Sequence, residues 1–299
     1  MKDNLTVVTC SMNREIYLPK QVNATKNLKN LYKHLIINWS SDNNLNSELL
    51  NINPKVEIVN VKNENSWWLS RAYNFGFNLV DTFYLMKLDA DTIIDADRFN
   101  SIDFQDFDHI IFDKKNQGYG NFFIKKSLVD DINGFNEFIW GWGYDDIDLY
   151  NRLINLPHYN HKKSFFDGSL INVLDHKNLD RFKNSQKNID KDFKFIENLA
   201  SAHSAVNKYT SENTIWDNNI SLSYKNENTN NFYVRHFYTP KDLDFVTRLK
   251  RKKIFFNKLL NFFKFRKLFI YIILIIPNSF IKALFKVSLY PKGKRIYEV

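Results

Sequence analysis

Apolar and polar positions along the chain alternate in blocks that read as strands and helices in turn. Leu5-Thr6-Val7-Val8-Thr9-Cys10 is a short apolar run, the pattern of a buried first strand, and it opens onto a polar loop from Ser11 to Glu15. A helix is predicted from Pro19 to Tyr32, a second strand over Leu35-Ile36-Ile37-Asn38-Trp39, and a third from Val56 to Val61. Ser66 suits an N-cap for a helix running to Leu79, with Trp67, Leu69, Ala72 and Phe75 available to pack. Thr82 to Leu88 then reads as a strand that delivers Asp89 and Asp91 at its C-terminal end.

Further along, Ile110-Ile111-Phe112 and Asn121 to Lys125 are strand-like, separated by Gly118-Tyr119-Gly120. A helix is predicted from Asp146 to Leu156, with Ile147, Tyr150, Leu153 and Ile154 on one face and Pro157 ending it. Ser169 to Leu174 is a further strand leading to Asp175-His176. Strands alternating with helices imply a Rossmann-like α/β fold with a mostly parallel sheet. Ligands of such sheets bind beyond the carboxyl ends of the strands, which is where Asp89 and Asp91 fall.

Composition adds bounds. At 299 residues the chain is one large domain or a domain with an appendage, and 44% hydrophobic residues suffice for a sizeable core. A single cysteine, Cys10, excludes an intrachain disulfide. The N-terminal residues lack the basic-then-apolar layout of a signal peptide, so the expected location is cytoplasmic. The net charge of +9 is unevenly spread: Lys241 to Val299 holds 15 Lys/Arg against 3 Asp/Glu, which leaves 27 against 30 in the first 240 residues. A nucleic-acid partner is not expected, because the body carries no basic excess.

The tail differs in kind from the body. Basic residues from Arg248 to Lys267 interleave with aromatics, and the uninterrupted apolar run Leu268 to Pro277 is too short for the ~20 residues of a spanning helix. A helical, basic amphipathic tail lying on an anionic membrane surface fits this pattern, peripheral on the inner face of the plasma membrane. A C-terminal hairpin packed on the domain, or a dimer contact, is the plainer alternative. The expected organisation is a catalytic domain over 1–180, a polar extension over 181–240 and the tail over 241–299.

Two acidic clusters carry the candidate chemistry. Asp89-Ala90-Asp91 at a strand end would place both carboxylates on one side, since alternate strand residues face the same way. Carboxylate oxygens suit Mg²⁺ or Mn²⁺ held together with substrate phosphates, where the cation stabilises a departing diphosphate. The second cluster is Trp140-Gly141-Trp142-Gly143-Tyr144-Asp145-Asp146-Ile147-Asp148. Acids in a first helical turn are favoured by the helix dipole by ~0.3–1 kcal/mol each, which accounts for one or two of the three. It does not account for glycines that let a backbone approach a ligand, nor for indoles that can stack on a sugar. Asp146 suits a general base that takes a proton from an acceptor hydroxyl.

The run from Gly120 to Leu153, with Ile132-Asn133-Gly134-Phe135 and the aromatic-acidic cluster, resembles the catalytic half of the β-1,4-galactosyltransferase family, a module also found in chondroitin-polymerase-like bacterial enzymes. Ser70-Arg71-Ala72-Tyr73-Asn74-Phe75-Gly76-Phe77 is similar to that family's nucleotide-side segment, and Thr9-Cys10-Ser11-Met12-Asn13-Arg14 to the opening nucleotide loop of the wider GT-A group. The resemblance implies a GT-A fold and a metal-dependent, inverting transfer of galactose or N-acetylgalactosamine from a UDP-sugar to a glycan or lipid-linked glycan. It implies Asp91 and His176 as ligands of Mn²⁺ or Mg²⁺, with Asp89 at the ribose or the metal waters, and Asp146 as base. Asp145, Trp142, Gly143, Tyr144 and Gly120 would line the sugar and acceptor site. Arg71, Arg14, Thr9, Ser11 and Asn74 would face the nucleotide. Tyr144 stands where the family usually has Gly, Asp145 where it has Glu, Tyr119 in place of a Gly, and Asn38 where Asp is common. A retaining N-acetylgalactosaminyltransferase, or a non-catalytic glycan-binding protein on the same fold, are the competing expectations.

Overall fold

The structure, a computed structural model, describes residues 5–43, 45, 48–62, 64, 67–103, 106–113, 118–139, 141–160, 164–174, 204, 207–212, 215–216, 222–226 and 232–237. His176, Trp140, Ser66 and the basic tail lie outside the described residues.

The seven residues of β1 (Leu5–Ser11) are all buried, as a continuous apolar strand flanked on both sides requires. Its neighbours are β2 (Leu31–Trp39) and β4 (Tyr84–Lys87), both parallel to it. Beyond β2 come β3 (Val56–Val61) and then β11 (Phe232–Phe237), also parallel, with β10 (Leu222–Asn226) antiparallel at that edge. On the other side β7 (Phe122–Lys125) runs antiparallel to β4 and to β6 (His109–Ile111), and β8 (Ser164–Phe166) closes the sheet parallel to β6. The order is β10-β11-β3-β2-β1-β4-β7-β6-β8, and β5 (Thr92–Ile94) pairs with β9 (Ile171–Val173) in a separate two-stranded sheet. The central sheet is mostly parallel, as the alternation of elements predicts.

Period-two alternation sends Leu5 and Val7, with Met86 and Phe123, into a core that includes Phe99 of α4 (Ala96–Ser101). The intervening Val8 and Cys10, with Leu85, Phe122 and Ile124, face the opposite core. There α3 (Leu69–Asn78) supplies Ala72, Tyr73, Phe75 and Phe77, and α6 (Asp145–Ile154) supplies Leu149, Tyr150 and Leu153. The same core takes Leu128 and Val129 of α5 (Lys126–Asp131), whereas Leu18 and Val22 of α1 (Leu18–Thr25) and Leu49 of α2 (Glu48–Ile52) pack with Ile36 and Val56 in a separate cluster.

Several expected boundaries shift for physical reasons. The first helix ends at Thr25 rather than Tyr32, because Leu31 pairs with Leu5 and draws residues 31–33 into β2. The helix after β3 starts at Leu69 with Trp68 at its N-cap. The segment expected as a strand from Ser169 begins as a 3₁₀ turn, Gly168–Leu170, capped by the Asp167 carboxylate at the Ser169 amide. On α6 the buried face is Leu149-Tyr150-Leu153, whereas Ile147 and Ile154 lie exposed.

Candidate functional site

Strand β4 stops at Lys87, so Asp89 and Asp91 sit in a turn instead of alternating along a strand end. The turn closes through the Thr92 amide, which donates to the Asp89 carbonyl at 2.9 Å. From beneath, the Gln21 amide donates to the carbonyls of Asp89 (2.6 Å) and Thr92 (3.1 Å). Gln21 is held in turn by Thr9, whose hydroxyl donates to it at 3.0 Å and also meets His34 Nε2 at 3.0 Å. Thr9 is fully buried, so its hydroxyl supports the acidic turn from within the fold.

The two acids are engaged from different elements. Asp91 is buried and pairs with the Arg14 guanidinium at 3.0 Å, across 77 residues. Asp89 Oδ1 receives the Tyr73 hydroxyl at 3.1 Å and the Lys87 ammonium at 2.8 Å. Its backbone amide donates to Asn121 Oδ1, and Asn121 Nδ2 lies 3.4 Å from Asp89 Oδ2. The turn therefore gathers hard carboxylate oxygens that already draw positive charge, which fits a divalent cation completed by phosphates and water. Among the described residues no group of three His, Cys, Asp or Glu stands ready to hold a metal by itself.

The second acidic cluster begins with strain. Tyr144 caps α6 at φ +71°, in the left-handed region disfavoured for any residue with a Cβ, between Gly143 at φ +83° and the first helical turn. A glycine at this position would carry no such strain. The three acids then diverge in role. Asp148 is bound by Arg152 at 2.8 Å, and Arg152 also donates to the Ile132 carbonyl, so this pair is structural. Asp145 is buried, and burial raises its carboxyl to about 6, opposed by its own backbone amide and Lys87. Asp146 is half-buried, yet its Oδ1 is enclosed and has no hydrogen-bond partner among the described residues. Burial first, then the neighbouring Asp145, lifts the Asp146 carboxyl well above the usual carboxylate range.

Gly120 joins the two clusters. A Cβ added there would lie 2.7 Å from Asp146 Oδ2, so the carboxylate rests against the glycine backbone. The Gly120 carbonyl accepts from Lys87, the same ammonium that binds Asp89. The base candidate and the acidic turn thus share one backbone segment.

The remaining residues expected at the site fall into two groups. Ser11 and Asn38 are register partners at the ends of β1 and β2, and Ser11 Oγ and Asn38 Oδ1 are both buried without a partner among the described residues. Their position at the carboxyl ends of the strands suits the polar edge of a ligand. Arg71 is buried, 3.2 Å from Glu64 and over the Trp68 ring at 5.4 Å. Asn74 is a clasp: its Nδ2 donates to Phe135 O and Glu137 Oε1, both at 2.8 Å, and its Oδ1 accepts from the Phe135 amide at 2.7 Å. That commits its side chain to the loop before the aromatic-acidic cluster. Trp142 is 44% exposed, free to present a face to a ligand.

Sequence reasoning passed over Lys87, Asn121, Gln21, Tyr73 and Asn207. Lys87 carried a signal, as an ammonium inside an apolar strand. Asn207, fully buried, donates to the Gly143 carbonyl at 2.7 Å, and Trp216 Nε1 donates to the Asn133 carbonyl at 2.9 Å. The first contact brings part of the polar extension onto the aromatic-acidic loop and the second onto the turn at Asn133, and both join residues far apart in the chain.

Known proteins share this fold. Residues 100–170, which hold Gly120, Asn121 and the cluster from Gly141 to Asp148, match the family model described as the N-terminal domain of galactosyltransferase. The catalytic domain of Drosophila β1,4-galactosyltransferase 7, solved with xylobiose, aligns at 12% identity with a TM-score of 0.50, covering 80% of this chain and 95% of that one. The mannosyltransferase PcManGT of Pyrobaculum calidifontis, solved with GDP-Man and Mn²⁺, aligns at 11% identity and a TM-score of 0.50. That alignment covers 71% of this chain, which spans 64% of the mannosyltransferase's length. Among curated proteins none matches significantly. The chain has the GT-A glycosyltransferase fold and carries a galactosyltransferase-like segment at the site.

Proposed function

We propose that the protein is an inverting, metal-dependent glycosyltransferase that moves a hexose, galactose or N-acetylgalactosamine, from a UDP-sugar to a glycan or glycolipid acceptor. The observation that carries this reading is Asp146 Oδ1, an enclosed carboxylate oxygen without a hydrogen-bond partner among the described residues, fixed against Gly120 beside a turn holding Asp89 and Asp91. A buried polar atom left unsatisfied costs free energy, and a reacting hydroxyl is a partner that would satisfy it.

In this reading Asp146 accepts the proton of the acceptor hydroxyl as that oxygen attacks the anomeric carbon. Its raised carboxyl makes it a stronger base than an exposed aspartate, which suits proton abstraction near neutral pH. Attack by the acceptor itself is a single displacement, so the anomeric configuration inverts. Asp145 and Trp142 hold the acceptor, with Gly143 and Tyr144 shaping the pocket. Ser11, Arg14 and Arg71 lie on the nucleotide side.

Asp91, Asp89 and His176 would hold the divalent cation, of which Mn²⁺ is the kind present in the mannosyltransferase complex. Bound there, it would supply Lewis-acid stabilisation of the departing diphosphate. The protein's own part is to keep both acids fixed: Gln21, Tyr73 and Asn121 hold the Asp89 turn, and Arg14 holds Asp91.

For the acceptor, the basic tail favours a lipid-linked glycan at an anionic, cytoplasmic membrane face. Deleting residues 250–299 should release the enzyme from membranes, and full pelleting of the truncated chain would refute this. The activity itself is tested by screening UDP-sugars for Mn²⁺-dependent hydrolysis, which needs no acceptor. Turnover of UDP-galactose or UDP-N-acetylgalactosamine is expected; turnover of none would overturn the reading.

A further inference from the structure

Lys87 is the residue of the site that the proposed chemistry leaves without a role. It occupies the last position of β4, in register with Val8 on one side and Phe122 on the other, where the alternation of the strand calls for an apolar side chain. Its side chain is fully buried. A buried ammonium is costly unless paired and hydrogen-bonded, so its retention here needs a reason.

Three contacts use the ammonium. Nζ donates to Asp89 Oδ1 at 2.8 Å and to the Gly120 carbonyl, and it stands 4.4 Å from the centre of the Tyr73 ring, whose hydroxyl also binds Asp89. The first contact belongs to the cation-side turn. The second fixes the glycine against which the Asp146 carboxylate rests. Arg14, the neighbouring cation, is engaged separately with Asp91.

We infer that Lys87 is a positioning residue: its buried ammonium ties the Asp89 turn to the Gly120 backbone and so holds the general base and the diphosphate side in one fixed geometry. This inference rests on the glycosyltransferase reading above. Its charge has a second effect, as the fixed cation opposing the repulsion among Asp89, Asp145 and Asp146. Removing Lys87 would take away the ammonium 2.8 Å from Asp89 Oδ1 and release the Gly120 carbonyl that sets the Asp146 position. A misplacement of about 1 Å at reacting groups costs on the order of 100-fold in rate.

The test compares Lys87→Met, which removes charge and donors, with Lys87→Gln, which keeps a donor without charge, in the full chain. Folding is checked by near-ultraviolet circular dichroism, and Lys87→Gln carries the test if the Met variant does not fold. The readouts are kcat and KM for the UDP-sugar with Mn²⁺, and the acid limb of the pH–rate profile. Among the described residues the groups facing Asp146 are Asp145 on α6, Lys87 and Asp89 at the end of β4, Tyr119 before β7 and Tyr150 on α6. Loss of the Lys87 cation should move the acid limb to higher pH. The expected result is a kcat lower by about 100-fold in Lys87→Met, a smaller loss in Lys87→Gln, a KM changed less than kcat, and an acid limb displaced upward in both. A kcat within threefold of wild type, or a lowered kcat with an unmoved limb, would overturn the inference. Wild-type protein that turned over no UDP-sugar would count against the glycosyltransferase reading instead, so the two failures are distinct.

Discussion

The Arg14 guanidinium lies 3.0 Å from the Asp91 carboxylate, so the acid proposed to hold a divalent cation is already engaged by a fixed one. Asp91 is buried and Arg14 is mostly so, which makes this pair more than a surface contact. Replacing Arg14 by Met should remove about 2 kcal/mol in metal-free buffer, as for a hydrogen bond between charged groups. For a domain of this size that is ~4–8 °C in Tm. Mn²⁺ with UDP should return most of the loss, because a ligand that binds only the folded state stabilises it by mass action. Thermal melts with and without Mn²⁺ and UDP check this; equal Tm values for the two proteins in metal-free buffer would contradict it.

Gly120 should tolerate no side chain in an active protein. Its φ lies outside the left-handed region, so alanine fits the backbone, but the new Cβ would meet Asp146 Oδ2 at 2.7 Å. Gly120→Ala should therefore keep the fold and lower turnover by about 100-fold through displacement of the base. Circular dichroism and UDP-sugar turnover, measured together, separate these effects.

Tyr144 holds a left-handed backbone, which costs a residue with a Cβ about 1–2 kcal/mol. Glycine removes that cost and adds back somewhat less in unfolded-state entropy. Tyr144→Gly should raise Tm by ~1–3 °C and widen the range of sugars accepted. Gly143→Ala, at φ +83° with Ser204 3.3 Å from the new Cβ, should lower Tm. Melting both variants is sufficient to check the pair.

Asp145 gives the protein a pH dependence of stability. Its carboxyl is raised to about 6, whereas in the unfolded chain it titrates near 4. Between those values the folded state holds the proton that the unfolded state has lost. This contribution to stability is present below pH ~4 and is lost as pH rises through about 6. Asp145→Asn should thus melt above wild type at pH 7.5 and converge with it near pH 4. Melts across that range would contradict the account if the difference grew toward acid.

Much of this was legible in the residue order. Strands β1 to β4 and the helices between them follow from apolar runs and periodicity, and the two acidic clusters stand out by composition. What escaped depended on partners far apart in the chain. Nothing near Leu31 says that it will pair with Leu5, so the first helix read too long. Asn74 reads as a ligand-facing amide until Phe135 and Glu137, 61 and 63 residues away, are seen to consume it. Thr9 is likewise spent on Gln21 and His34. Among the acids of α6 the sequence singles out Asp146 as the base candidate, and the structure adds the physical difference: Arg152 binds Asp148, while Asp146 keeps an enclosed oxygen.

The central claim is that Asp146 is the base of a glycosyl transfer completed by the Asp89–Asp91 turn. The most direct measurement is the Mn²⁺-dependent turnover of a UDP-hexose by Asp146→Asn, with UDP affinity measured in parallel. Loss of a positioned general base should lower turnover by about 10²–10⁴-fold while UDP binding stays as in wild type. Turnover by Asp146→Asn within twofold of wild type would contradict the account.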